Sequence, residues 1–170
     1  MRSPAEDFFY KEHSMITRRA ALAGAVCFAP LGFGGANAEP TFEMTLSEAQ
    51  WRERLTPMQF EVLRQEGTER AFSSPLDHEK HAGIFACAGC AQDLFSSKTK
   101  YDSRTGWPSF WAPLDKAVVT AKDGSLFMSR TAVACSRCGG HLGHVFEDGP
   151  PPTGLRYCMN GVAMNFKPDA

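Results

Sequence analysis

Cys87-Ala88-Gly89-Cys90 and Cys135-Ser136-Arg137-Cys138 are two C-x-x-C knuckles in a chain of 170 residues. Each follows a short apolar run that reads as a strand, and each tight turn can bring two thiolates to one point. Four thiolates at about 2.3 Å around one Zn²⁺ require two such turns brought together by the fold. The knuckles therefore predict one structural zinc ion per chain, held by Cys87, Cys90, Cys135 and Cys138. Two disulfides are the competing use of the same four residues. A thioredoxin-like redox pair needs a βαβ context that this sequence does not display. A Cys₂His₂ set from Cys135, Cys138, His141 and His144 has a tighter histidine spacing than such sites use, and it would strand Cys87 and Cys90.

Working outward, Ser47-Glu48-Ala49-Gln50 is a capping box that opens a short helix with Trp51 and Leu55 on one face. Thr56-Pro57-Met58-Gln59 repeats the signal with Pro at the first helical position, and that helix, carrying Phe60, Val62 and Leu63, stops at Gly67. Beyond it the helical period disappears. Ile84-Phe85-Ala86, Val118-Val119-Thr120, Leu126-Phe127-Met128, His144-Val145-Phe146 and Leu155 to Phe166 read as strands, with Asp123-Gly124 as a hairpin turn and Pro150-Pro151-Pro152 fixing a later loop. The predicted fold is mainly β: a small antiparallel sheet core stapled by a Cys₄ zinc site, with two short N-terminal helices.

Composition narrows the function. Eighteen Lys and Arg face 19 Asp and Glu, so no basic excess points to nucleic acid. Hydrophobic residues form 43% of the chain, with 13 Phe, which is enough for a core. No run reaches the roughly 20 apolar residues that span a bilayer. The first 38 residues differ from the rest. Thr17-Arg18-Arg19 precedes an Ala- and Gly-rich run to Gly35, and Ala36-Asn37-Ala38 is a small-residue cleavage site before Glu39. The paired arginines and weak hydrophobicity favour twin-arginine export, hence a signal peptide at 1–38, a domain at 39–170 and a periplasmic destination without membrane insertion. An amphipathic anchoring helix is the alternative. The acidic residues Glu6, Asp7 and Glu12 leave open whether translation starts at Met1 or Met15.

Setting aside the knuckles and Cys27 in the leader leaves Cys158. On a strand, period two puts Arg156, Cys158 and Asn160 on one face and Tyr157 and Met159 on the other. A cation beside a thiol favours the thiolate, and an amide donor beside it can hold an oxygen atom. A lone cysteine is also often an inert, buried residue. His141 and His144 can be core histidines or proton donors, and Trp107, on a loop between Gly106 and Pro108, can simply cover the core.

Taken in order, Gly106-Trp107-Pro108-Ser109-Phe110, His141-Leu142-Gly143-His144-Val145-Phe146 and Arg156-Tyr157-Cys158-Met159-Asn160, interleaved with the knuckles, resemble the peptide methionine-(R)-S-oxide reductases. The resemblance runs from about Leu46 to Phe166. It implies reduction of methionine (R)-sulfoxide, and with it repair of oxidised exported proteins. Cys158 is then the nucleophile that becomes a sulfenic acid. By the same match His141, His144 and Asn160 bind and polarise the sulfoxide oxygen. Arg156 favours the thiolate, Trp107 packs on the substrate methyl group, and Asp148 orients the histidine side.

One departure stands out: Thr105 occupies the place where many family members carry a recycling cysteine, and Arg104 stands where Gly is usual. The implied reductant is therefore an external, thioredoxin-like thiol. Two other classes use the same features differently: a zinc-ribbon module that binds nucleic acid or another protein, the nucleic-acid form wanting a basic face, and a thiol peroxidase using Cys158 on hydrogen peroxide.

Overall fold

Two capping boxes start the fold as the sequence predicts. In the computed structural model, which describes residues 41–124 and 130–170, α1 spans Glu48–Arg54 and α2 spans Pro57–Gln65. Ser47 Oγ accepts from Gln50 N while Gln50 Oε1 accepts from Ser47 N, and Thr56 and Gln59 repeat the exchange. Trp51, Leu55, Phe60, Val62 and Leu63 are buried. The end of α2 differs by one residue: Glu66, with φ 57°, makes the left-handed turn, and Gly67 N then donates to Glu61 O at 3.0 Å.

Among the described residues nine strands form two antiparallel sheets. They are β1 Gly83–Cys87, β2 Asp93–Ser96, β3 Lys100–Tyr101, β4 Ser109–Phe110, β5 Val118–Asp123, β6 Arg130–Cys135, β7 His141–Phe146, β8 Arg156–Met159 and β9 Met164–Pro168. A three-stranded sheet has the order β2-β1-β9, and a six-stranded sheet has the order β3-β4-β8-β7-β6-β5. The expected stretch from Leu155 to Phe166 is two strands in different sheets, separated by a 3₁₀ turn at Gly161–Ala163. β2, β3 and β4 had no signal of their own, because strands of two to four residues are too short to show alternation.

Phenylalanines join the two sheets. Phe110 of β4 stacks on Phe95 of β2, centroids 4.4 Å apart, and meets Phe85 of β1 edge-on at 5.0 Å. All three are fully buried, as are Leu94, Leu142 and Met159. Aromatic pairs of this geometry add about 0.5–1.5 kcal/mol each beyond area burial.

β5 and β6 pair from Val118 with Cys135 to Asp123 with Arg130, so the turn at Asp123-Gly124 belongs to a longer connection. Leu126-Phe127-Met128, expected as strand, lie outside the described residues. So do Arg18, Arg19, Cys27 and the Ala36-Asn37-Ala38 cleavage site. Among the described residues no helix is long and apolar enough to cross a membrane.

Candidate active site

The two knuckles meet. Cys87 ends β1 of the smaller sheet and Cys135 ends β6 of the larger one, so the cluster of Cys87, Cys90, Cys135 and Cys138 fastens one sheet to the other. Their four Sγ atoms lie within 4.8 Å of one another, and all four residues are buried. Cys87 Sγ is 3.8 Å from Cys138 Sγ, and Cys90 Sγ is 3.5 Å from Cys135 Sγ. A tetrahedral metal with bonds of about 2.3 Å to sulfur separates its ligands by about 3.8 Å, whereas a disulfide needs about 2.05 Å. The cluster fits a metal ion. Both helices brace it: Arg54 Nε donates to Gly89 O and Arg64 Nη1 to Cys138 O, each at 2.9 Å.

The second site grows from β8. Strand pairing puts Ser109 of β4 opposite Cys158 on one side and His144 of β7 opposite it on the other. Gly143 makes this row possible, since a Cβ there would lie 2.2 Å from Cys158 O. The period-two reading holds for the neighbours: Met159 is fully buried, and Tyr157 packs toward Phe95 with centroids 5.9 Å apart. Cys158 instead lines a cleft of about 130 Å³ with Trp107, Arg130, His144, Phe146 and Asn160.

Trp107 is carried by the loop between β3 and β4, and the same loop brings Thr105 Oγ1 to 3.8 Å from Cys158 Sγ. Ser103 Oγ lies 2.8 Å from Thr105 Oγ1 and 2.7 Å from Ser109 Oγ, so three hydroxyls form a chain ending at the thiol. Burial pushes the Cys158 thiol above its ordinary value. Thr105, the Arg156 charge and Ser109 act against burial without overcoming it. The cation beside Cys158 therefore works as the sequence suggested, but desolvation is the larger effect.

Arg156 and Asp148 sit apart from the cleft lining. Arg156 Nε and Nη2 donate to the two Asp148 carboxylate oxygens at 2.9 and 2.8 Å, and its guanidinium stacks 4.3 Å above the Phe146 ring. Asp148 thus holds the arginine, and the carboxylate that meets His144 is Asp123, whose Oδ2 is 3.1 Å from His144 Nε2. Arg130 Nη2 donates to that same oxygen at 3.1 Å. His141 lies behind His144, ring centroids 5.2 Å apart, and is only 6% exposed. Burial, with the His144 charge next, lowers its pKa to about 4, so it is neutral at pH 7.

Asn160 is buried at the cleft. Its Oδ1 accepts from Glu69 N at 2.9 Å, and its Nδ2 donates to Leu142 O at 3.1 Å, leaving a second amide N–H for the cleft. Glu69 was missed by sequence reading, yet it ties the site together. Its carbonyl accepts from Trp107 Nε1 at 3.1 Å, and its buried carboxylate accepts from Gly161 N and from Val162 N, the latter at 3.0 Å. Asp123, Arg130, Ser103 and Ser109 were missed as well. Ser109 stands in the Trp motif and Asp123 in the hairpin signal, but neither pattern marks a role at the site, because each of the four reaches it through strand pairing or a loop closure.

Comparison with known proteins fits this arrangement. Residues 55–168 match the SelR domain family. Similar proteins named peptide methionine sulfoxide reductase MsrB include one from Methanosarcina barkeri, 58% identical over 122 residues that cover 71% of this chain and 86% of that protein. One from Pseudomonas putida (strain W619) is 53% identical over 127 residues, 74% of this chain and 94% of the relative. One from Agrobacterium fabrum is 52% identical over 123 residues, 72% and 91% of the two chains. With two-thirds of its length in the domain and this degree of identity, the chain belongs to the SelR-domain family of peptide methionine sulfoxide reductases.

Proposed function

We propose that the chain reduces the R epimer of methionine sulfoxide in oxidised exported proteins, with Cys158 as nucleophile. The observation that carries this reading is the meeting of Cys158, His144, Asn160 and Trp107 in one cleft. An apolar wall suits the S-methyl group, and imidazole and amide donors suit the sulfoxide oxygen. The Cys158 thiolate attacks the sulfoxide sulfur while His144 delivers a proton to the oxygen. The oxygen ends on Cys158: a thiol becomes a sulfenic acid, losing two electrons, and the sulfoxide becomes a thioether, gaining two. Asp123 orients His144, and the hydroxyl chain through Thr105 with the Arg156 charge favours the thiolate.

An external dithiol, such as a thioredoxin-like protein, regenerates the thiol. One of its sulfurs displaces water from the sulfenic acid, and the second releases Cys158 from the mixed disulfide. An internal route lacks a partner among the described residues, where Thr105 adjoins Cys158 and the other cysteines form the metal cluster. Zinc is the ion proposed for that cluster, in a structural role, because four thiolates closed around one centre suit it and leave no open position. The leader is proposed to direct twin-arginine export, with cleavage after Ala38 and release in the periplasm.

The test is turnover of the separated epimers by residues 39–170 with a dithiol reductant. Only the R form should be consumed; equal consumption of both overturns the stereochemical assignment. One equivalent of substrate without reductant should yield a dimedone adduct on Cys158, and an intramolecular disulfide would exclude the direct route. Metal analysis should give one zinc per folded chain. Mass spectrometry of the exported protein should find Glu39 at its start, and Arg18→Lys with Arg19→Lys should hold the precursor in the cytosol.

A further inference from the structure

Phe72 is 66% exposed, the most exposed of the large apolar side chains among the described residues. Its φ is 62°, in the left-handed region that a bulky L-residue rarely adopts. Neither burial nor backbone preference accounts for a phenylalanine at this position, and a strained, exposed aromatic points to use of the ring.

The ring is also held in place. Phe72 N donates to Gly106 O at 2.7 Å, and a Cβ on Gly106 would come within 2.8 Å of both Phe72 N and the ring carbon Cδ2. Gly106, itself at φ 87°, must therefore be glycine for the two segments to touch. Three residues before Phe72, Glu69 O accepts from Trp107 Nε1 at 3.1 Å, so two bonds fasten the strip 69–72 along 106–107. Ser73 N and Oγ both donate to Arg70 O and close the turn that carries Phe72. Phe72 is thus fixed against Gly106, the residue before Trp107 of the reaction cleft.

That cleft, at about 130 Å³, has room for one side chain. The rest of a polypeptide must lie outside it, and the exposed ring held against Gly106, the residue before Trp107, offers an apolar contact to it. We propose that Phe72 is a specificity contact that binds the residue flanking methionine sulfoxide in a polypeptide and favours an apolar neighbour there. This rests on the sulfoxide reductase reading of the cleft.

The experiment measures kcat/KM of the full chain on two blocked tripeptides, methionine (R)-sulfoxide flanked by Leu and the same flanked by Ser. The readout is the ratio of the two values. The wild type should prefer the Leu-flanked peptide, and Phe72→Gly should lower the ratio about tenfold, the scale of losing an apolar pocket contact. Glycine suits the left-handed backbone, so this variant removes the ring without forcing the loop to move. Phe72→Tyr should restore most of the ratio. A ratio unchanged in Phe72→Gly, or an equal loss on both peptides, overturns the proposal while leaving the reductase reading intact. A wild-type protein that reduces neither peptide fails that reading first.

Discussion

The knuckle cluster and the cleft over β8 use the same side chain in opposite surroundings. At the knuckles four sulfurs, on residues 0–5% exposed, face one another between two sheets and are braced by both helices. At the cleft one sulfur, half-buried, faces a hydroxyl chain, a histidine and open space. Chemistry at a cysteine depends on what stands within about 4 Å: further thiolates make a metal site, and donors beside a cavity make a reactive one. The same contrast separates structural from functional sensitivity to substitution.

The largest effect should come from breaking the first region. Cys90→Ser removes one of four ligands from a site whose metal is worth roughly 10–16 kcal/mol of apparent binding energy, against a net domain stability of about 5–15 kcal/mol. The variant should lose metal, cooperative unfolding and activity together. Cys158→Ser should lose activity alone, with metal content and circular dichroism unchanged. A folded, metal-free Cys90→Ser protein would erase the distinction between the two regions.

Next in size is the acid response of the cleft. His141 has a folded pKa of about 4 against an ordinary 6.5, so between those values the unfolded chain takes up a proton that the folded chain does not. Stability should therefore fall as pH drops from 6.5 to 4, by an amount on the order of 3 kcal/mol. Glu69, whose carboxyl is raised by burial, works in the opposite direction over its own range. Urea midpoints at pH 7.5 and 4.5 should show the difference, and His141→Phe should shrink it. A variant that loses stability on acidification as steeply as wild type would remove His141 from the account.

Glu69→Gln comes third. The replacement keeps the shape but points an amide N–H at one of the backbone donors that the carboxylate now accepts, for a cost of about 1–3 kcal/mol. Because Trp107 and Asn160 both bond to the Glu69 backbone, kcat/KM should fall while the metal stays bound. Unaltered kinetics in a destabilised protein would make Glu69 purely structural. The smallest effect is expected for Arg104→Gly. Arg104 sits at φ 60°, and relief of the left-handed strain is offset by the greater entropy of an unfolded glycine. The unfolding midpoint should move by less than about 1 kcal/mol in free energy.

Parts of this arrangement were legible in advance and parts were not. The capping boxes at Ser47 and Thr56 depend on contacts three residues apart, so four-residue patterns were enough to find both helices. The knuckles needed only their spacing. Cys158, His144, Asn160 and Trp107 were found through ordered motifs, and the structure brings all four to one cleft. The expected pairing of Asp148 with the histidine side was misplaced, because its bond to Arg156 crosses from β8 to the loop after β7. Asp123 takes that place through the β5–β6–β7 register, which no local pattern reports.

By itself, then, the sequence determined the things set by neighbours along the chain: helix starts, the ligand-bearing turns, and which faces of a strand carry Cys158 and Met159. Tertiary structure alone decided which carboxylate serves which base, that His141 is neutral and set behind His144, and that burial outweighs the Arg156 charge at the thiol. It also set Glu69 and Phe72 against the Trp107 loop. These are matters of distance between segments far apart in sequence and of how much water their meeting excludes. Residue order carries neither quantity until the strands are in register.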